Sequence, residues 1–159
     1  MRTERGADVP SRIVVSNRSQ HRLDEILHIH REIETAVKLD YVLAPTPAGN
    51  DAVLPGLKPG SLVINATGLG KDAPGSPLTD AAVFPKNAVV WDLNYRGDLV
   101  FLDQARVQEK ARGLTVVDGW TYFIHGWTQV IAEVFHITIG TDAATIERLT
   151  RIAHAAAKG

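Results

Sequence analysis

The sequence predicts an α/β fold with a doubly wound parallel sheet, on three observations. Five short apolar runs rich in β-branched residues, Arg12–Ser16, Tyr41–Ala44, Ser61–Asn65, Ala88–Leu93 and Leu114–Val117, are spread along the 159 residues. They are continuously apolar rather than alternating, the pattern of strands covered on both faces. Helical segments or long connections separate them, which implies right-handed crossovers between parallel neighbours.

The elements follow in order. After the run Arg12–Ser16 come Asn17, Arg18 and Ser19, then a helical pattern from Gln20 to about Lys38 in which Leu23, Ile26, Leu27, Ile29 and Ile33 recur mostly at three- and four-residue steps. Pro45 and Pro47 close the second strand. The Pro- and Gly-bearing loop Ala73–Pro77 is an insertion between the third and fourth strands. Leu99–Arg112 reads as a helix, and so does Trp120–Phe135, whose Trp120, Phe123, Ile124, Trp127, Val130, Ile131, Val134 and Phe135 give more apolar surface than a solvent-facing helix needs. That helix is expected to pack on two sides. A last helix spans Asp142–Ala157, with Thr141 as its cap and Ile146, Leu149 and Ile152 as its buried stripe.

Composition narrows the function. Hydrophobic residues at 45% and charged residues at 22% describe an ordered globular chain. Lys+Arg 17 against Asp+Glu 18 leaves no positive field for holding a nucleic acid. The absence of cysteine removes disulfides, thiolate metal sites and cysteine nucleophiles, and fits a reducing compartment. No apolar run approaches the roughly 20 residues needed to span a bilayer, and no signal peptide is visible, so a soluble cytoplasmic protein is expected.

Ligands of such sheets sit at the carboxyl ends of the strands. Arg18 and Arg22 fall in the expected first turn of a helix, where positive charge opposes the helix dipole unless an anion offsets it. In a dinucleotide fold, arginine at this turn accommodates the 2′-phosphate of NADP, with Ser19 as an added donor; a solvated helix start capped by Asn17 or Ser19 accounts for the residues equally well. Gly68–Ala73 matches the letters of the dinucleotide fingerprint, but Pro74 and Pro77 prevent the helix that must follow it, so it reads as a turn lining a cleft. Thr121, His125 and Gln129 form a polar line on the apolar helix, facing either a cleft or solvent. His28 and His30 are not spaced to share a metal on one helix face. Asp92 and Asp118 at strand ends suit hydrogen bonding to loop backbone better than acid–base chemistry.

Four motifs in order carry a resemblance. Asn17-Arg18-Ser19 followed by Arg22, Ile64-Asn65-Ala66-Thr67-Gly68-Leu69-Gly70, Asp92-Leu93-Asn94-Tyr95 and Asp118-Gly119-Trp120, over roughly residues 12 to 135, resemble the cofactor-binding half of the shikimate dehydrogenase family. That family interconverts a ring hydroxyl and ketone of shikimate, quinate or a relative with NADP or NAD. The resemblance implies an incomplete Rossmann-like sheet with helices on both faces, a single dinucleotide-binding domain over residues 1–159, and closing helices from about 119 to 157. It implies NADP as cofactor, with Asn17, Arg18, Ser19 and Arg22 at the 2′-phosphate, Thr67 and Gly119 beside the cofactor, and Tyr95 and Gln129 toward a small-molecule substrate. No catalytic or metal-binding residue is assigned.

The chain departs from the family in two ways. Arg5–Pro10 looks like the end of the family's first helix, so the glycine-rich first strand–turn–helix and the substrate domain with its catalytic Lys and Asp have no counterpart. Gly126 also stands where the family places a substrate-binding Gln, eight residues after Asp118. These departures imply that the chain alone is inactive, that the strands flanking the lost central one have unpaired edges, and that its partner is another copy or a separate substrate-domain chain. The alternative is a non-catalytic subunit that binds a partner through the exposed sheet and the apolar helix.

Overall fold

Arg12–Asn17 (β1) and Lys38–Leu43 (β2) pair in parallel, in register from Arg12 opposite Lys38 to Asn17 opposite Leu43. Parallel pairing needs a crossover, and Gln20–Arg31 (α1) supplies it, packing on both strands with Leu23 buried. The computed structural model describes residues 9–156, which divide into two compact units; Arg5–Asp8 and Ala157 lie outside the described residues. The first unit holds these elements together with residues 77–83.

α1 is shorter than the apolar pattern predicts. It ends at Arg31 because β2 already begins at Lys38, and the chain must leave the helix early enough to return alongside β1. The run Tyr41–Ala44 therefore covers only the later half of β2, to Leu43, with Ala44 just beyond the strand. Ile29 is exposed, a correction to the expected stripe: His30 turns inward instead, its Nδ1 2.7 Å from the Tyr41 hydroxyl. A short helix, Pro47–Asp51 (α2), and a single 3-10 turn at Leu54–Gly56 follow, with Leu54 buried. The Asp51 carboxylate accepts the Thr79 N–H at 3.0 Å and Asn50 donates to the Pro77 carbonyl at 2.9 Å, which fastens residues 77–83 to this unit.

In the second unit Leu62–Asn65 (β3), Val89–Asp92 (β4) and Thr115–Val117 (β5) form a parallel sheet in the order β3-β4-β5. Val100–Arg112 (α3) connects β4 to β5 and packs on both. Phe84, Ala88, Val90, Leu102 and Ala105 are fully buried, and the Phe84 and Phe101 rings meet edge to face at 5.8 Å. Arg112 and Gln108 of α3 bond the carbonyl and N–H of Phe84, so a core aromatic in a loop has both backbone groups satisfied. Among the described residues of this unit no strand pairs with the outer side of β3, and Leu62 and Ile64 on it are exposed.

Trp120–Phe135 (α4) has the predicted bounds, but only Ile124 and Thr128 on it are buried. The expected two-sided packing is absent among the described residues. Ala143–Ala156 (α5) packs on α4 and stacks His154 on Trp120 at 3.9 Å. Asp142, not Thr141, caps α5: its carboxylate accepts the Thr145 hydroxyl at 2.8 Å and the Thr145 N–H at 3.0 Å, and these bonds, the hydroxyl's first, pull its pKa down. Ile146 and Leu149 are half-buried, whereas Ile152 is exposed because the inward positions run 146, 149 and 153.

Truncating Phe84 to Ala should remove about 3 to 5 kcal/mol from the unfolding free energy measured in urea. Val107→Ala on the exposed side of α3 should change it by less than about 0.5 kcal/mol. Similar losses for both would contradict this placement of the core.

Candidate functional site

Because β3, β4 and β5 are parallel, Asn65, Asp92 and Val117 end on one edge of their sheet, and three loops leave from it. A buried knot ties those loops together. The Asp92 carboxylate is fully buried and accepts the Asn94 N–H at 2.9 Å on one oxygen and the Asn65 side-chain amide at 3.1 Å on the other. Asn65 Oδ1 in turn accepts the Thr67 N–H at 2.9 Å and its hydroxyl at 2.7 Å. The Asn94 side-chain amide donates to the carbonyls of Thr67 and Leu69, and the Asn94 backbone carbonyl accepts the Gly119 N–H at 3.0 Å. Burial pushes the Asp92 pKa up, and the bonds from Asn94 and Asn65 hold part of that rise back.

Gly119 is buried at the start of α4, and a Cβ there would collide with the Leu93 carbonyl. Only glycine lets the β5–α4 turn lie this close to the loop after β4. Asp118 also works locally, accepting the Trp120 N–H at 3.0 Å, while its backbone carbonyl accepts Trp91 Nε1–H at 3.2 Å. Gly68–Ala73 closes on itself, with the N–H groups of Lys71, Asp72 and Ala73 converging on the Gly68 carbonyl, and no helix follows. It lines a small open cleft of about 270 Å³ with Pro74, Gly97 and Asp98.

Beside this edge stands an aromatic wall. Tyr95 stacks on Phe123 at 3.9 Å and meets Trp120 at 6.0 Å, and the Lys71 ammonium and Arg96 guanidinium lie 6.0 and 5.8 Å from its ring centre. The two cations come from different loops, and neither was singled out from the sequence. Gln129 is exposed and bonds along α4 to Glu133 at 3.4 Å, with Thr121 and His125 also exposed, so the polar line of α4 faces solvent.

In the first unit, Asn17, Arg18, Ser19 and Arg22 sit together on the β1–α1 turn. Asn17 Oδ1 accepts the Ser19 N–H at 2.9 Å, which fixes the turn. Ser19 is the N-cap of α1 by backbone position, yet its side chain makes no capping bond, and the first turn holds no acidic residue. Arg18 precedes the helix rather than lying in its first turn, a correction to the sequence reading; it is exposed and without an ion pair among the described residues. Arg22 is in the first turn, paired with Glu25 at 2.7 Å on the surface, and this guanidinium holds the Glu25 carboxyl below its usual range. The N–H groups at the start of α1 thus point to an open, positively flanked end suited to an anion.

No family model matches the chain. The shikimate dehydrogenase (NADP(+)) of Azorhizobium caulinodans is 32% identical to it over 157 residues, across 97% of this chain and 54% of the relative. The likeness is to shikimate dehydrogenases. It bears out the resemblance carried by the strand-end motifs, and the chain spans about half the length of that relative. Two solved structures share the fold. A chorismate mutase/shikimate 5-dehydrogenase fusion from Clostridium acetobutylicum superposes with a TM-score of 0.55 at 21% identity, over 92% of this chain and 46% of its own. Shikimate dehydrogenase from Thermotoga maritima gives 0.52 at 19% identity, over 86% and 45%. The predicted α/β, Rossmann-like class is therefore correct, with small parallel sheets.

The raised pKa of Asp92 fixes the sign of a pH effect. The native state holds this proton more tightly than the unfolded chain, so the site's contribution to stability grows as pH falls from above the folded pKa toward the usual carboxylate range. The lowered carboxyls of Glu25, Asp40 and Asp142 act oppositely but are common to wild type and an Asp92→Asn variant. The unfolding free energy of wild type minus that of the variant should therefore increase from about pH 7 to pH 4. A decrease would mean that the knot favours the charged carboxylate.

Proposed function

We propose that this chain is the cofactor-binding part of an NADP-dependent oxidoreductase of the shikimate dehydrogenase type, acting on a ring hydroxyl of shikimate, quinate or a related polyol acid. The observation that carries the reading is the 32% identity to an NADP(+) enzyme, which runs through 157 residues and so takes in all four strand-end motifs.

The β1–α1 turn fits the adenosine 2′-phosphate. Arg18 is exposed and unpaired among the described residues, the helix start lacks both acidic residues and a side-chain cap, and the surface pair Arg22–Glu25 is weak enough to yield to a dianion. In this reading Arg18, Ser19 and Arg22 hold the phosphate, and Asn17 keeps the turn shaped for it. Bound NADP supplies or accepts the hydride. Thr67 and Gly119 lie beside the cofactor, Gly119 because it presents backbone where a side chain cannot fit. Tyr95 contributes a ring face and hydroxyl toward the substrate, and Gln129 a second polar contact. Gly126 in place of the family's Gln keeps the substrate at the level of the ring polyol acids. No residue of the chain is assigned as the acid or base, and turnover belongs to the assembly that completes the substrate site. The single-domain reading of residues 1–159 goes with this proposal.

Titration calorimetry tests the cofactor reading directly. NADP+ should bind more tightly than NAD+, and Arg18→Ala should weaken NADP+ about 10- to 100-fold while leaving NAD+ nearly unchanged. Equal losses for both cofactors would show that Arg18 supports the turn and does not read the phosphate.

A further inference from the structure

The loops after β3 and β4 are locked against each other at a single glycine. Gly97 takes a φ of 92°, and a Cβ there would lie 2.2 Å from the Gly70 carbonyl oxygen and 2.9 Å from the Lys71 Cα. The Leu99 N–H donates to the same Gly70 carbonyl at 3.2 Å, and Leu99 itself is held at a φ of 48°. A left-handed leucine is strained, and the close approach of the two loops keeps it there. That approach brings Lys71, on one loop, and Arg96, on the other, to the ring of Tyr95.

The ring orients both cations, and the chain neutralises neither fully. Phe123 stacks on one face of Tyr95 at 3.9 Å, which leaves the Lys71 ammonium, 6.0 Å from the ring centre, and the Arg96 guanidinium, at 5.8 Å, to the other face and the rim. Lys71 has Asp72 at 3.1 Å, but that carboxylate is 59% exposed and takes up one of three ammonium donors. Arg96 is exposed, and no hydrogen bond or ion pair uses its five donors among the described residues. Asp98 lines the adjoining cleft and pairs with neither cation. Two like charges drawn to one ring repel each other, and an anion between them offsets the repulsion.

We propose that Lys71 and Arg96 clamp the carboxylate of a small acid at the rim of Tyr95. The guanidinium offers a planar fork that meets both oxygens of a carboxylate, and the ammonium adds a point charge beside it. Size favours a small acid over a nucleotide, because the cleft that Lys71 and Gly97 line holds about 270 Å³, below the usual range of pockets for larger ligands. Asp72 and Asp98 on the same cleft repel a second negative charge, which selects a carboxylate monoanion over a phosphate dianion. The choice of a ring polyol acid as the occupant rests on the dehydrogenase reading, and the clamp adds this chain's own part in holding it.

A nuclear magnetic resonance titration of the full chain, followed on the Lys71 and Gly97 amides, tests the clamp. Shikimate should shift these signals saturably with a dissociation constant of about 0.1 to 10 mM. Its uncharged methyl ester should bind at least about tenfold more weakly, and inorganic phosphate at neutral pH should bind more weakly than shikimate. Arg96→Gln and Lys71→Met should each weaken shikimate about tenfold and leave the ester unchanged. Arg106→Gln, which removes the same charge from the surface of α3, should keep shikimate within about twofold of wild type. If Lys71→Met disturbs the fold, the exposed Arg96 decides alone: Arg96→Gln should lose the preference for acid over ester, and Arg96→Lys should keep most of it. Equal binding of acid and ester, a loss shared by both ligands, tighter binding of phosphate, or no saturable shift up to about 50 mM shikimate would overturn the clamp. The preference for NADP+ over NAD+ is measured separately through Arg18, so failure of the clamp and failure of the dehydrogenase reading are told apart.

Discussion

A buried carboxylate at the end of a parallel sheet organises the second unit. Asp92 is the last residue of β4, fully buried, and a carboxylate in that position is costly unless donors surround it. The donors come from the neighbouring strand end, through the Asn65 side chain, and from the turn that Asp92 itself begins, through the Asn94 backbone. Asn65 and Asn94 each reach one loop further, to Thr67 and Leu69 on one side and to Gly119 on the other. Three loops that would otherwise be independent are held as one surface, and Thr67 and Gly119, proposed to lie beside a cofactor, are carried on it. Rigid support beneath exposed functional loops is a common economy of α/β folds.

The same knot sets the geometry of α4. Gly119 must be glycine because the knot draws the β5–α4 turn against the Leu93 carbonyl, and the helix starts from that fixed point. Its start is further held by Asp118 and by the ring contacts of Trp120 and Phe123 with Tyr95. One face of α4 is thereby committed to its own core and α5, and Trp127, Val130 and Val134 on the adjoining face stay exposed. The sequence reading treated those faces as one excess of apolar surface; the structure separates them into a buried pair, Ile124 and Thr128, a Phe123 stacked on Tyr95, and exposed Trp127, Val130 and Val134.

Much of the architecture was legible because parallel strands, buried on both faces, write themselves as short continuous apolar runs. All five runs became strands, and α4 began at Trp120 and ended at Phe135 as its apolar pattern indicated. Local pattern failed where a tertiary constraint decided. Ile33 and Val37 continue the apolar rhythm of α1, yet the chain must join β1 from Lys38 onward, and pairing wins over propensity. Thr141 and Asp142 are equally plausible caps by residue type, and only the reach of the Asp142 carboxylate to the Thr145 N–H separates them. In the candidate site the Asx residues at strand ends were visible, but their mutual bonding was not, since Asn65 and Asp92 become neighbours only through strand register. Lys71 gave no signal because it approaches Tyr95 from a loop far away in sequence, and Arg96, the next residue along the chain, because nothing local says that its guanidinium turns back over the ring.

Amide hydrogen exchange followed residue by residue is the most direct measure of whether the Asp92 knot governs the strand-end surface. Thr67, Asn94 and Gly119 all lie outside strands and helices, yet each N–H is spent in the knot. Their exchange should be slowed to within about tenfold of Val90 and Trp91 in β4, as expected for amides that open only with the sheet itself. Exchange of these three at the rate of the exposed loop residue Asp98 would show that the loops move independently, and that the buried carboxylate does not organise the site.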